Sequence, residues 1–96
     1  MLNSKQRAFL RKEGHTLSPI FQVGKGGVGE DMAEGIASAL EARELIKIRV
    51  LDNSGYSARE AAEELAKATD SEVVSCVGYT FILYKKSEKK QRIFLP

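Results

Sequence analysis

The sequence predicts one α/β domain in which helices pack against a mixed four-stranded sheet. The chain has 96 residues, of which 43% are hydrophobic and only two are prolines, so it suits a single folded domain over residues 1–96. Apolar residues recur at helical spacing in some segments, and β-branched or aromatic residues cluster in others. The order of these segments is α-β-α-β-α-β-β, which predicts parallel crossovers and a closing antiparallel strand pair.

A first helix is predicted over Lys5–Glu13. Ser4 is a suitable N-cap for it, and Gly14 is a suitable stop. At this spacing Phe9 and Leu10 turn toward the core. The cations that turn outward are Arg7, Arg11 and Lys12.

A strand over Pro19–Val23 and a second helix from Glu30 to about Arg43 are predicted on either side of a glycine-rich stretch. Apolar residues recur at helical spacing after Glu30, and Gly29 is the expected N-cap. The acidic side chains of Glu30 and Asp31 suit the positive end of the helix dipole.

A second strand and a third helix follow. Alternation over Leu45–Leu51 puts the apolar residues on one face of the strand and Lys47 and Arg49 on the other. Ser57, with Glu60 three residues later, forms a capping box that opens a helix to about residue 69.

The last two strands are predicted over Val73–Val77 and Thr80–Lys85, which are rich in β-formers and separated by two residues. This spacing indicates a hairpin. The extended segment 93–95 is expected to dock afterwards. Phe81 lies in an apolar strand, so it is predicted to be a core residue.

The charge is unevenly distributed along the chain. The net charge is only +2, but residues 1–25 and 73–96 are rich in lysine and arginine, whereas the middle of the chain is acidic. Basic clusters of this kind are either a solvated surface or a binding site for an anionic partner. The sequence leaves both readings open.

Composition excludes several classes of protein. Cys76 is the one cysteine, so a disulfide within the chain and a cysteine-rich metal site are excluded, and we expect its thiol to be buried. The N-terminus lacks the apolar run of a signal peptide, and no apolar stretch is long enough to cross a membrane. A cytoplasmic monomer without a metal or another cofactor is therefore expected.

The glycine-rich stretch Lys25–Gly29 resembles part of the phosphate loop of nucleotide hydrolases. That loop ends in a lysine and then a serine or threonine, whereas Glu30 and Asp31 stand at these places here. Two carboxylates repel a triphosphate, so neither a nucleotide substrate nor catalysis is expected.

Gly24–Gly27 also fits the shorter pattern G-x-x-G. Its glycines let the main chain come close to a sugar-phosphate strand, and Lys25 adds a positive charge. The loop leads into a helix N-terminus, where N–H groups and the helix dipole favour an anion. A turn that needs glycine only for its backbone angles is the alternative.

Several segments in order carry a resemblance to a known family. After a basic first helix, these segments are His15–Pro19, Val23–Val28, Glu44–Ile48, Gly78–Lys85 and Ile93–Pro96. Over almost its whole length the chain resembles the CRM domain (chloroplast RNA splicing and ribosome maturation), and in particular its stand-alone bacterial YhbY-like members. One departure is Gly29, which stands where a threonine or a similar cap is expected.

The resemblance implies a fold similar to the C-terminal domain of bacterial translation initiation factor three. It also implies that the G-x-x-G loop binds RNA and that the protein associates with precursors of the large ribosomal subunit, so that ribosomal RNA is the expected partner. Plant relatives act in intron splicing. The loop residues implied are Gly24, Lys25, Gly26 and Gly27, and the basic first helix is the implied second contact.

The remaining candidates rest on charge alone. The predicted RNA-binding residues outside the loop are Lys5, Arg7, Arg11 and Lys12 in the first helix, and Lys47, Arg49, Lys85 and Lys86 elsewhere. Lys47 and Arg49 could instead keep an exposed sheet face soluble, and His15 could be either a loop residue or an RNA contact. The tyrosines Tyr56, Tyr79 and Tyr84 could stack on bases, but the sequence singles out none of them for this role.

The function predicted on these grounds is the binding of structured RNA through backbone contacts, without catalysis, by a factor in the assembly of the large ribosomal subunit or by an RNA chaperone. The alternative is a protein-interaction adaptor that docks a basic ribosomal protein on the acidic second and third helices. The two differ in their response to salt, because phosphate contacts weaken steeply as the salt concentration rises.

Overall fold

The computed structural model describes residues 2–96 and confirms the predicted arrangement of three helices and one mixed four-stranded sheet. In chain order the elements are α1 (Ser4–Gly14), β1 (Phe21–Val23), α2 (Glu30–Arg43), β2 (Leu45–Val50), α3 (Ala58–Thr69), β3 (Glu72–Val77) and β4 (Thr80–Tyr84). A short 3-10 turn over Asp52–Ser54 lies between β2 and α3.

The strand order across the sheet is β1-β2-β4-β3. β1 pairs in parallel with β2, and β4 pairs in antiparallel fashion with both β2 and β3. β4 therefore lies inside the sheet, between two strands that precede it in the chain. As a result, the segments 24–29, 51–56 and 78–79 lie at one end of the sheet, which we call the loop end. β4 finishes beside the start of β2 at the other end, which we call the tail end.

The sheet has helices on both faces. α2 and α3 cover one face, where the larger part of the core includes Ile36, Leu40, Ile46, Ile48, Leu65, Phe81 and Leu83. α1 lies on the other face, over a smaller core that consists of Leu10, Leu45, Val74, Ile82 and Tyr84. The sheet residues of this smaller core belong to the middle and the tail end of the sheet. α1 therefore leaves the loop end of its face uncovered.

Two predictions about buried residues have different outcomes. Phe81 is 1% exposed, which confirms it as a core residue. Cys76 was expected to be buried, but its side chain is only half-buried because it lies on β3 at the edge of the sheet. Partial burial still raises the pKa of the Cys76 thiol above its ordinary value.

The helix caps correct one assignment and confirm another. Asn3, not Ser4, caps α1: its side chain accepts from the Gln6 N–H at 2.8 Å, and the Gln6 side chain accepts from the Asn3 N–H at 3.2 Å. A capping box at Ser4 would have needed an acceptor side chain at position 7, and the Arg7 side chain has no acceptor. The predicted capping box of Ser57 at the start of α3 is present, and it determines where this helix begins.

Two kinds of feature are missing from residues 2–96. In this range, no helix has both the length and the apolar character that crossing a bilayer requires. Nor does the range contain three or more His, Cys, Asp or Glu side chains grouped so that they could hold a metal ion.

Candidate nucleic-acid interface

The predicted loop Gly24–Gly27 forms a tight turn at the loop end of the sheet. The main-chain N–H of Gly27 donates to the carbonyl oxygen of Gly24 at 2.9 Å. Gly27 has a φ of +71°, which favours glycine, and a Cβ atom there would lie 3.2 Å from a ring carbon of Tyr56, which is a tight contact. Lys25 and Gly26 are exposed, and a Cβ atom on Gly26 would meet nothing within 4 Å. The turn therefore presents one cation and a bare stretch of main chain to solvent.

The hollow between this loop and the start of α2 is acidic. Its walls are formed by Gly26, Gly27 and Gly29 together with the first residues of the helix, including Glu30 and Asp31. Two carboxylates together carry more negative charge than the partial positive charge of a helix N-terminus can offset. The geometry therefore opposes the expectation of a bound anion at this helix end.

On the other side of the loop, the sheet face that carries α1 is open. Gln22, Arg49, Thr80 and Val77 lie next to one another across the four strands, and we call them the open row. Thr80 is half-buried and the other three are exposed. Their strands continue toward the tail end beneath α1, where Ile82 packs against Gly14 at the end of the helix.

A groove with basic walls lies between the open row and the end of α1. Arg11 and His15 line it from the helix side, and Lys47 lines it from β2. The Lys47 Nζ donates to the main-chain carbonyl of His15 at 3.3 Å, which joins the sheet to the end of the helix. The predicted residues Arg11 and Lys47 therefore meet in one place, as two cations on the two walls of the groove.

A smaller notch continues from the open row to the edge of the sheet. Arg49, Asp52 and Tyr79 line it, together with Val50 and Leu51 at the end of β2. The Val50 N–H donates to the carbonyl oxygen of Tyr79 at 2.7 Å, which holds the turn between β3 and β4 against β2. The side chain of Tyr79 is 61% exposed. The notch therefore combines a cation, a carboxylate and a solvent-exposed aromatic ring.

The notch lies directly beside the glycine loop. The N–H of Leu51 donates to the carbonyl oxygen of Val23 at 2.9 Å, and Gly24 follows Val23 in the chain. We call the groove, the open row, the notch and the loop together the loop-end surface. The cations that this surface brings together are Arg11, Lys25, Lys47 and Arg49.

Other predicted cations lie elsewhere or contact the protein itself. Arg7 was expected to point outward, but it is half-buried, and its guanidinium donates to the carbonyl oxygens of Val73 and Val74 in edge strand β3. Lys85 is half-buried as well, and its Nζ donates to the carbonyl oxygen of Thr69 at the end of α3 at 3.1 Å. The remaining predicted cations are exposed, and they are Lys5, Lys12 and Lys86.

The basic C-terminal segment does not meet the glycine loop. Lys85 and Lys86 follow the end of β4, which pairs with Leu45 at the start of β2, whereas the loop follows Val23, which pairs with Val50 at the end of β2. The length of a six-residue strand, about 20 Å, separates the two regions. The predicted RNA-binding residues Lys85 and Lys86 therefore lie away from the loop, because β4 runs antiparallel to β2.

Two carboxylates at the end of α2 hold this C-terminal segment. Glu44 is completely buried, and its side chain accepts from the main-chain N–H groups of Ser87 at 2.7 Å and of Arg92 and Ile93 at 2.6 Å each. Burial raises the pKa of Glu44, but these three hydrogen bonds outweigh it and hold the pKa below its ordinary value. The segment after β4 is therefore fixed to the domain. As predicted, it docks through Ile93.

Glu41 adds a second attachment one turn earlier in α2. Its carboxylate accepts from the Ser87 hydroxyl and from the main-chain N–H groups of Glu88 at 3.1 Å and Lys89 at 3.2 Å. The bond from Ser87 is the main cause of a lowered pKa of Glu41, and the two main-chain bonds add to it. We call the residues 87–93 held by Glu41 and Glu44 the anchored tail.

Sequence reasoning missed several residues of these regions. Tyr79 and Gln22 belong to the loop-end surface but were not candidates, and Glu44 was not identified as an anchor. The exposure of Tyr79 had a signal, since it is one of two residues in a hairpin turn. No local sequence pattern identifies Glu44 as an anchor, because its three partners are more than forty positions away in the chain.

Comparison with known proteins confirms the resemblance in the sequence. The model of the CRS1 / YhbY (CRM) domain matches residues 2–85. "Probable RNA-binding protein YqeI" from Bacillus subtilis (strain 168) is 51% identical over 96 residues, which is 100% of both chains. The solution structure of the protein SAV1595 from Staphylococcus aureus superposes with a TM-score of 0.79 at 42% identity, with 100% of both chains covered. "CRS2-associated factor 1, chloroplastic" from Arabidopsis thaliana is 25% identical over 95 residues, which is 99% of this chain and 14% of the plant protein. The chain belongs to the CRS1/YhbY (CRM) domain family.

Proposed function

We propose that this protein binds RNA on the loop-end surface and has no catalytic activity of its own. The observation that carries the proposal is the continuity of this surface, in which the exposed loop, the open row and the groove adjoin one another. The family assignment supports it. So do the names of the relatives, which describe RNA-binding proteins from Bacillus subtilis and Haemophilus influenzae.

The charges around the loop determine on which side of it the bound RNA strand lies. Lys25 and the main chain of Gly26 face solvent at the tip, and Arg49 and Lys47 follow along β2. On the opposite side of the loop, Glu30 and the next residue form an acidic wall. A phosphate strand therefore passes from the loop toward the groove at the end of α1 and away from α2.

We further propose that the RNA belongs to precursors of the large ribosomal subunit and that the protein acts there as an assembly factor in the cytoplasm, as a monomer. The support for this step is the likeness to YhbY-like proteins described above. Contacts to phosphate and main chain suit such a role, because they position a protein on folded RNA without reading its sequence.

The competing function is that of a protein-interaction adaptor. One observation favours it: exposed carboxylates line the two helices on the side away from the loop-end surface. They are Glu34 on α2, and Glu63 and Glu64 on α3. A basic protein would bind there, and its affinity would not depend on Lys25.

Replacing Lys25 with alanine separates the two functions. Affinity for a single-stranded RNA is measured by fluorescence anisotropy over a series of salt concentrations. For about four neutralised phosphates we expect the logarithm of affinity to fall with a slope of roughly −3, and K25A to reduce this slope by roughly 0.7. The cause is the loss of one phosphate contact.

The matched control is Lys67→Ala, which removes the same charge from an exposed position on α3. K67A is expected to bind RNA as the unmodified protein does. If K25A and K67A bind equally well, the loop is not the RNA site. A binding constant that does not respond to salt would favour the adaptor.

A further inference from the structure

We propose that the RNA is single-stranded where it crosses the loop-end surface, and that one unpaired base stacks on Tyr79 in the notch beside Arg49. The inference rests on the proposed function, since it names the form of RNA that this surface takes. It adds a contact to a base, whereas the loop and the groove offer contacts to the phosphate backbone.

Tyr79 is the most exposed of the three tyrosines. All three tyrosines lie within the described residues. Tyr84 is buried in the smaller core, and Tyr56 is half-buried against Gly27. The ring of Tyr79, in contrast, is 61% exposed. An aromatic ring that the fold leaves in solvent is available for stacking, and every base has a face that can stack on it.

The main chain under this ring is held in place on both sides. The carbonyl oxygen of Tyr79 accepts from the Val50 N–H at 2.7 Å, and the Thr80 hydroxyl donates to the carbonyl oxygen of Val77 at 3.0 Å. Gly78, at a φ of +59°, completes the turn. A ring on a fixed turn loses little conformational freedom when a base binds, so stacking contributes more to affinity than it would on a mobile loop.

The chemistry of the notch suits a base better than it suits a phosphate. Asp52 lines it with Arg49 and Tyr79. A carboxylate there repels a phosphate, but it accepts hydrogen bonds from the amino groups of bases. Arg49 can stack its guanidinium on a base or reach a neighbouring phosphate. Next to the notch, the apolar side chain of Val77 is 69% exposed in the open row. The notch thus offers an aromatic face, a cation and an acceptor in one place.

A duplex cannot use these contacts. Paired bases are stacked on one another inside the helix, and their faces do not reach a protein side chain. The notch adjoins the loop through Leu51, whose N–H is bonded to the main chain of β1. A strand held at Lys25 can therefore extend one base into the notch without leaving the surface. Because the notch and the loop adjoin, the ligand in the notch is a single-stranded segment of the same RNA that the loop binds.

Binding of matched single-stranded and duplex RNA tests the inference. The probes are a labelled RNA of about 12 nucleotides and the same strand annealed to its complement. We expect Tyr79→Ala to weaken binding of the single strand about tenfold, because stacking on one base is lost. Tyr79→Phe should retain most of the affinity. Neither change should alter the salt slope or the affinity for the duplex, because neither removes a charge.

The matched control is Phe94→Ala, since Phe94 is 71% exposed and lies beyond the anchored tail. F94A should bind both probes normally. A second measurement places a fluorescent base analogue at successive positions of the single strand. A position whose emission is quenched by the unmodified protein and by Y79F, but not by Y79A, marks the stacked base. Thermal unfolding of each variant verifies that it is folded.

The outcomes distinguish the inference from the proposed function. If K25A weakens binding while Y79A binds like the unmodified protein and quenches the analogue equally, then RNA binds at the loop but no base stacks on Tyr79, and the inference is wrong. If neither variant changes binding, the proposed function fails as well. Equal losses for Y79A on the single strand and on the duplex would also overturn the inference, because a duplex offers no free base.

Discussion

The two basic regions of the molecule differ in how the fold holds the segments that carry their cations. At the loop end, Lys25, Arg49 and Arg11 extend into solvent from positions that the main chain fixes. At the tail end, Lys85 donates to the carbonyl oxygen of Thr69, and the segment that follows is held through its main chain by Glu44 and its neighbour Glu41. The positive charge of a sequence is therefore not the same as the positive charge available to a ligand, because some of it contacts the protein's own carbonyl groups.

The strongest test of this difference removes the anchor at the tail end. Glu44→Gln keeps the size of the side chain but replaces one acceptor oxygen with an NH2 group, which cannot accept from an N–H donor, and it removes the negative charge from the remaining hydrogen bonds. We therefore expect the free energy of unfolding to fall by about 3 kcal/mol. Urea denaturation measures it. Glu34→Gln, at an exposed position on α2, is the control and should change stability by less than about 0.5 kcal/mol. Under conditions where E44Q is folded, its affinity for RNA should equal that of the unmodified protein. Loss of RNA binding by folded E44Q would show that the two regions are coupled.

The next test compares two glycines of the loop. An alanine at position 27 would have to keep the positive φ, and its methyl group would approach the ring of Tyr56. We therefore expect Gly27→Ala to destabilise the protein by about 1–2 kcal/mol. Gly26→Ala places its methyl group in open solvent and should leave stability unchanged. If RNA approaches the main chain here, both variants bind it more weakly, and G26A shows a loss of affinity without a loss of stability. Normal RNA binding by G26A would argue against close approach at the tip.

The smallest expected effect is a change in the acid sensitivity of the fold. The main-chain hydrogen bonds of Glu44 lower its pKa in the folded protein despite its burial. A carboxyl group with a lowered pKa stabilises the folded state above its ordinary value of 4.5, and that stability is lost as the pH falls through the folded pKa. We therefore expect E44Q to reduce the dependence of the urea midpoint on pH below about pH 5, while G26A retains it. An unchanged pH dependence in E44Q would assign the acid sensitivity to other carboxylates.

Local sequence patterns were enough to predict the helices, the strands and the loop. The capping box of Ser57 and the periodicity after Glu30 depend on residues three or four positions apart, so they can be seen in one sequence. The cap of α1 follows the same rule but was assigned to Ser4. The residue three positions after Asn3 is Gln6, whose side chain can complete a capping box, and this pattern was overlooked. Alternation in β2 correctly placed Lys47 and Arg49 on one face.

Long-range pairing limited the prediction of the site. Which cations meet depends on the position of β4 between β2 and β3, and a local pattern does not contain this information. The same reason explains why Arg7 and Lys85 were not recognised as internal contacts. Their carbonyl partners are sixteen or more positions away in the chain.

The position of β4 inside the sheet also affects when the domain can fold during its synthesis. β1 and β2 have no contact with β3 through the sheet until β4 enters between them, so the sheet remains divided until residue 84 has left the ribosome. The open row, which includes Thr80, is incomplete on any nascent chain that ends before this residue. A domain that depends on such distant pairings folds late and more slowly than one built from local contacts. Its ability to hold RNA should therefore arise only after translation has passed the last strand.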